Sequence, residues 1–166
     1  MITPIRPDIQ RIEAGHYEML VRFFSENDVA EVVRRFNPFP LNRETAYRIA
    51  CTDCLDRYYV TLYENKIVGL CMLRGWDEGY SIPSFGVLVD RHFHNHGVGR
   101  EMTVYAIEEA RRLGCHRVRL SVYASNKPAL HLYTSLGFTE DKREIVQVMG
   151  ELDEKVIMSK DLLSLR

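Results

Sequence analysis

The spacing of hydrophobic residues changes twice along this chain and divides it into three parts. In the first, apolar residues recur at three- and four-residue intervals: Tyr17, Leu20, Val21 and Phe24 in HYEMLVRFFS, with the pattern resuming in NDVAEVVRRF after Glu26-Asn27-Asp28. This spacing predicts amphipathic helices. Asn37-Pro38-Phe39-Pro40 ends the second helix, because proline disfavours helical geometry in the residue before it. Asn42 is placed to cap a third, RETAYRIAC.

From Asp56 the period shortens. DRYYVTLY and IVGLCMLRGW, around Glu64-Asn65-Lys66, predict two strands and a tight turn, and YSIPSFGVLV after Asp77-Glu78-Gly79 predicts a third strand of an antiparallel meander. The helical period returns from about Val98 to Leu113. There Met102, Ala106, Ala110 and Leu113 form a narrow apolar stripe, Glu108 and Arg112 are spaced as an i,i+4 pair, and Gly114 supplies the stop. Small residues on the stripe predict close packing on a sheet. HRVRLSVYA reads as a buried strand, NKPALHLYTSLG as a short helix with Pro128 in its first turn, and FTEDKREIVQVMG and KVIMSKDL as closing strands. Strand, helix and strand over residues 80–123 are expected as a right-handed parallel unit inside a mixed sheet.

With 166 residues, the chain is expected to be a single domain, residues 1–166, large enough to bury a core without disulfides or a structural metal. Its 46% hydrophobic and 27% charged content is that of a globular protein. A net charge of −1 argues against a protein that holds nucleic acid, which needs a basic face. Pro4, Pro7 and charges break the start, and no later run approaches the ~18 apolar residues of a membrane span. The expected location is cytoplasmic, with no membrane partner. Cys51, Cys54, Cys71 and Cys115 are too scattered for a disulfide framework and are expected as free buried thiols, with Cys51-x-x-Cys54 structural.

The chemistry concentrates in HFHNHGVGREM, residues 92–102. On a strand, His92, His94 and His96 would share a face and could gather around zinc. The chain is leaving the strand at Asp90-Arg91, so no metal site is expected. Gly97 and Gly99 instead allow positive φ and close backbone approach, and the helix beginning there turns unpaired amides toward an anion. Residues 97–103, GVGREMT, lack the Lys of a phosphate loop. Met102 stands where a dinucleotide fingerprint wants a small residue, and SVYAS lacks its acid.

A third pattern fits. VLVDRHFHNHGVGREM followed by VRLSVYASNKPALHLYTSLGF resembles the Gcn5-related N-acetyltransferase (GNAT) superfamily, whose acetyl-CoA motif is Gln/Arg-x-x-Gly-x-Gly/Ala after a Val-bearing strand. In that family a strand, an Asn and Ala-x-x-x-Tyr-x-x-x-Gly-Phe follow at this distance. His94 stands here at the motif's first position, replacing a constant charge or amide with an imidazole. The resemblance implies an α/β (α+β) fold: a mixed, mostly antiparallel central sheet with helices on both faces. It implies that Val87 and Val89 offer backbone groups to the pantetheine arm of acetyl-CoA. The turn of His94, Asn95, His96, Gly97, Val98, Gly99 and Arg100 would hold the pyrophosphate, with Arg91 nearby. Asn126 would contact the cofactor, its alternative being a helix cap. Tyr133 would protonate the departing thiolate, its alternative being a core aromatic.

The base is less legible. Family members that acetylate protein N-termini carry Glu within a Leu-Glu-Val-Arg pattern, where this chain has Leu120-Ser121-Val122-Tyr123. Glu78 in GWDEGY, beside Asp77, Trp76 and Tyr80, is the candidate base, the alternative being a hairpin end with solvated acids. FNPFPLN, residues 36–42, is either an acceptor wall or a helix terminator with buried Phe. The function expected is transfer of an acetyl group from acetyl-CoA to a primary amine of a small molecule. The alternatives are protein Nα- or lysine acetylation and a non-catalytic acyl-CoA sensor. The last strands are a candidate edge for a homodimer.

Overall fold

The computed structural model describes residues 8–162; the reading of Pro4 and Pro7 lies outside the described residues. Seven strands form one sheet, β1 (Asp8–Arg11), β2 (Arg57–Tyr63), β3 (Lys66–Arg74), β4 (Ser84–Val89), β5 (Arg117–Tyr123), β6 (Thr139–Val148) and β7 (Glu151–Asp161), in the order β1-β2-β3-β4-β5-β7-β6. Every neighbouring pair is antiparallel except β4 with β5. Five α-helices cover it: α1 (Tyr17–Asn27), α2 (Ala30–Val33), α3 (Arg43–Cys51), α4 (Val98–Arg112) and α5 (Lys127–Ser135). This is the expected mixed, mostly antiparallel α/β architecture. None of these helices is long and apolar enough to cross a membrane.

The sheet separates two cores because successive strand residues face opposite ways. On β3, Leu70 and Met72 join Leu20, Phe23, Phe24 and Ile49 under α1 and α3, whereas Cys71 and Leu73 join Met102, Ala106 and Ala110 under α4. The alanine stripe does bring α4 close: a Cβ on Gly69 of β3 would lie 2.6 Å from Met102 Sδ. The tight β2–β3 turn is built on Glu64 and Asn65, both at positive φ. Asn42 caps α3, its Oδ1 accepting from Thr45 N at 2.9 Å.

Several expectations are corrected. The second helix shrinks to the four residues of α2, since Asp28 leaves helical geometry and Phe36 turns in to meet Phe39, ring centroids 5.6 Å apart. β1 has no alternating apolar signal in DIQR and exists through its ladder with β2, from Asp8 opposite Leu62 to Arg11 opposite Tyr59. The meander's third strand begins only at Ser84, because Pro83 has no N–H to donate and Trp76–Glu78 form a 3-10 turn. Arg112 pairs with Glu109 rather than Glu108, because Glu109 faces the sheet and also accepts from Tyr59 Oη at 3.1 Å. Of the free thiols only Cys71 is buried; Cys51 ends α3, Cys54 lies in the loop beyond it, and both are half-buried, as is Cys115.

Candidate active site

The parallel pair at the centre of the sheet holds only at its start. Ser84 lies opposite Arg119, whose N–H donates to Pro83 O at 3.0 Å; beyond that point no ladder joins β4 to β5 among the described residues. The register with β3 tells which β4 groups face this split. Asp90 N donates to Val68 O at 2.8 Å, and antiparallel pairing alternates bonded with non-bonded positions. Gly86 and Leu88 are therefore bonded to β3, while Val87 and Val89 direct their N–H and C=O groups into the split. Such free strand groups are a template for an extended ligand. One is already engaged: His94 Nε2 lies 3.3 Å from Val89 O.

The chain leaves β4 through a buried polar hinge. Asp90 is 1% exposed; its carboxylate accepts from His92 N at 2.8 Å and from Asn27 Nδ2 at 3.2 Å. Asn27, fully buried at the end of α1, accepts from Arg91 N at 3.0 Å and donates to Phe23 O at 2.9 Å. In the sequence Asn27 is one of three polar residues between two helical stretches, and Asp90 marks where the chain leaves a strand. A polar residue at a helix end gives no sign of a partner 63 positions away.

After the hinge the backbone turns twice through positive φ, at Asn95 (65°) and Gly97 (81°), and enters α4. Gly97 is the N-cap of α4, and no side chain caps the helix. The first amides of α4, from Val98, Gly99 and Arg100, are left for an external acceptor at the positive end of a 15-residue helix. A Cβ on Gly99 would meet Val89 Cγ2 at 3.6 Å, ordinary contact, so protein packing alone does not demand glycine there. The side chains around the turn disperse. His92 is exposed, His94 is on Val89 O, and His96 is 6.0 Å from the Phe93 ring with its Nδ1 buried and unpaired. They form no metal-ligand cluster among the described residues. Arg91 turns to Glu31 at 3.8 Å, and Arg100 reaches Ser135 Oγ at 3.4 Å across to α5.

Tyr133 lies toward the other end of β4. Only 7% exposed, it packs edge-on against Phe85, with centroids 6.2 Å apart, and against Phe138 at 5.9 Å. Its hydroxyl has no hydrogen-bond partner among the described residues, and burial holds the phenol well above its usual range. From Phe85 to Val89 the strand rises roughly 13 Å at ~3.3 Å per residue. The anion cradle and the phenol thus lie at opposite ends of one line of free backbone. Asn126 is the N-cap residue of α5, its carbonyl accepting from Leu130 N at 3.1 Å; it is half-buried and its side chain makes no cap bond.

The acids of GWDEGY divide. Asp77 accepts from Leu55 N at 2.8 Å and Asp56 N at 3.1 Å, and these backbone N–H groups hold its carboxyl below the usual range. Buried Asp56 reciprocates by accepting from Gly75 N at 2.9 Å and Asp77 N at 3.2 Å. Asp77 is thus a brace between two loops. Glu78 is exposed, follows β3 at the end of the sheet where β4 begins, and forms no ion pair among the described residues. In FNPFPLN, Phe36, Phe39 and Leu41 are buried in the α1–α3 core, while Asn37 is exposed and accepts from Tyr123 Oη at 3.3 Å. The loop is thus a helix terminator with buried Phe, its Asn37 tied to β5.

The model of the acetyltransferase (GNAT) family matches residues 17–138, which include the hinge, the cradle, Asn126 and Tyr133. The chain belongs to the GNAT family. Among relatives of this GNAT domain, the Escherichia coli K12 [ribosomal protein bS18]-alanine N-acetyltransferase is 39% identical over 56 residues, 34% of this chain and 38% of that protein. The chain thus spans well under half of that relative's length. Spermidine N-acetyltransferase from Vibrio cholerae, solved with CoA and spermine, superposes with a TM-score of 0.78 at 18% identity, covering 94% of this chain and 95% of that one. A GNAT-family acetyltransferase from Streptococcus pneumoniae gives 0.76 at 19% identity, covering 95% and 99%. At such identities these two establish the fold. The family implies acetyl-CoA, and the uncapped α4 terminus, the uncrowded Gly99 and the free backbone of Val87 and Val89 fit its pyrophosphate and pantetheine arm.

Proposed function

We propose that this chain transfers an acetyl group from acetyl-CoA to a primary amine of a small molecule by direct attack. The observation that carries the reading is the alignment of an uncapped α4 terminus, an unpaired stretch of β4 and a buried phenol along one edge of strand backbone. When bound, acetyl-CoA supplies the acetyl thioester. The amides around Gly97, Val98, Gly99 and Arg100 hold its pyrophosphate, flanked by Asn95, His94 and His96. Val87 and Val89 hold its amide arm as an added strand would, and Asn126 is free to bond it from the far side of the split.

Holding the amine against the carbonyl provides much of the acceleration. A β4 N–H directed into the split stabilises the negative charge that develops on the carbonyl oxygen. Tyr133 is the general acid: its proton goes to the sulfur as the carbon–sulfur bond breaks, and the amine's proton leaves through water. The raised phenol pKa makes Tyr133 a weaker acid than a solvated phenol against a thiol of about 8.5, which widens the mismatch between donor and leaving group. It also keeps the donor protonated. Glu78, exposed at the Tyr133 end of β4, is the side chain offered as base, acting through water.

A second reading, protein Nα-acetylation, is favoured by the bS18-alanine acetyltransferase relative, although Ser121 stands where a carboxylate is expected. Calorimetric titration with acetyl-CoA, CoA and ATP, on wild type and Gly97→Val, tests the cradle. Both coenzymes should bind wild type, and the substitution should abolish binding. Thiol release with free amines and with peptides then separates the readings. Absence of coenzyme binding overturns both, and turnover with peptides alone overturns the small-molecule reading.

A further inference from the structure

Three arginines surround the start of β4 on the face of the sheet opposite Tyr133, and the chemistry above uses none of them. Phe85 belongs to the α4–α5 core, so Ser84 and Gly86 lie on the other face. Ser84 is flanked across its ladders by Arg74 of β3 and Arg119 of β5. The Arg74 guanidinium sits 5.3 Å from the centroid of Phe39, and Arg48 of α3 approaches the same ring at 5.9 Å. Arg119 lies between Val118 and Leu120, both in the α4–α5 core, so it projects to the same face as Arg74.

No carboxylate of the described residues is paired with any of the three. Arg74 Nε is buried without a hydrogen-bond partner. Asp56 and Asp77 share this end of the sheet and turn their carboxylates onto backbone N–H groups, although the Asp77 charge still acts on Arg48, whose guanidinium also bonds the Tyr58 side chain. A guanidinium nitrogen withdrawn from water without a partner is costly, and an anionic ligand would supply that partner. Apolar packing of Phe85, Tyr133 and Phe138 closes the α4–α5 face at this level, so an amine reaches the split from the arginine face.

We propose that the acceptor carries an oxyanion group, a carboxylate or a phosphonate, a few bonds from its reacting nitrogen, and that Arg74 reads this group with Arg48 and Arg119 beside it. The proposal rests on the acetyltransferase reading and narrows its substrate class. Arginine's planar fork of N–H donors suits such a group, and the same charges repel a polycationic amine.

The test measures thiol release with saturating acetyl-CoA for matched amines: L-alanine and L-methionine against their carboxamides, 2-aminoethylphosphonate against ethanolamine, and spermidine. An anionic member should exceed its neutral partner in kcat/KM on the order of tenfold or more. The pair with the larger ratio identifies the oxyanion. Arg74→Gln should bring that ratio back toward one, a loss on the order of tenfold, mainly through KM. Arg74→Lys, which retains the charge, and Arg119→Gln should give intermediate ratios and cover the case in which Arg74→Gln fails to fold. The proposal is overturned if neutral partners or spermidine serve equally well, if no anionic amine reacts, or if the ratio ignores these substitutions. Failure of wild type to bind acetyl-CoA in calorimetry overturns the transferase reading itself, whereas binding without discrimination overturns this proposal alone.

Discussion

Gly97 and Gly99 look equivalent in the sequence, and the structure predicts that alanine at each acts on stability with opposite sign. Gly97 has φ of 81°, where an L side chain costs roughly 1–2 kcal/mol even with nothing within 4 Å of the added carbon. At about 2–4 °C per kcal/mol for a domain of this size, Gly97→Ala should lower Tm by roughly 2–8 °C. Gly99 lies inside α4, and its Cβ would find only Val89 Cγ2 at 3.6 Å. Alanine there gains up to about 1 kcal/mol of helix propensity, so Tm should hold or rise by a few degrees. Coenzyme affinity should divide in the same way. The family's motif accepts Gly or Ala at the Gly99 position and the added carbon meets only ordinary contact, so Gly99→Ala should bind acetyl-CoA within a few-fold of wild type. Gly97→Ala, strained at the residue that aims the first amides of α4, should lose about tenfold in Kd, near 1.4 kcal/mol. Scanning calorimetry and acetyl-CoA titration on the two variants decide the matter. A Gly97→Ala protein that is as stable as wild type and binds acetyl-CoA within twofold of it refutes the cradle.

The remaining predictions address other parts of the site. Tyr133→Phe removes a hydroxyl that no described residue bonds, so stability should change by less than about 1 kcal/mol while chemistry-limited turnover falls on the order of tenfold or more; wild-type turnover removes the acid role. Because the folded phenol titrates above its solution value, kcat should show no descending limb from Tyr133 up to pH 10; a limb below that, absent in Tyr133→Phe, contradicts the burial argument. Asn27→Ala leaves Arg91 N–H and Asp90 short of partners, which should cost about 2–4 kcal/mol in urea unfolding, with weaker acetyl-CoA binding. Asp77 has a depressed pKa, so its stabilisation is present above the unfolded value of about 3.9 and is lost as pH falls through the folded value. The stability gap between wild type and Asp77→Asn should therefore narrow below about pH 4; a gap constant down to pH 2 excludes the brace.

What the sequence disclosed depended on how local each feature is. The α3 cap, the glycine turn and the alanine face of α4 are written within a few neighbouring residues, and the structure has all three. The Val87 and Val89 groups were assigned by resemblance, and their freedom follows from a register that only the folded sheet defines. Asn27 with Asp90 and Arg74 with Phe39 escaped notice because their partners lie dozens of residues away and no periodicity links them. The Glu108–Arg112 pair failed for a tertiary reason: Tyr59 and the sheet draw Glu109, not Glu108, toward Arg112. Asp77 likewise reads as a free acid until Leu55 and Asp56 are folded against it.

The buried Asn27–Asp90 contact gives one amide side chain two allegiances. Asn27 is the last residue of a helix that packs on the α1–α3 core, and it also sets the first peptide of the turn that leads into α4. The two cores on opposite faces of the sheet are thus joined at this point by a single side chain: the seat of α1 fixes where Arg91 and Asp90 start the turn, without an intervening loop.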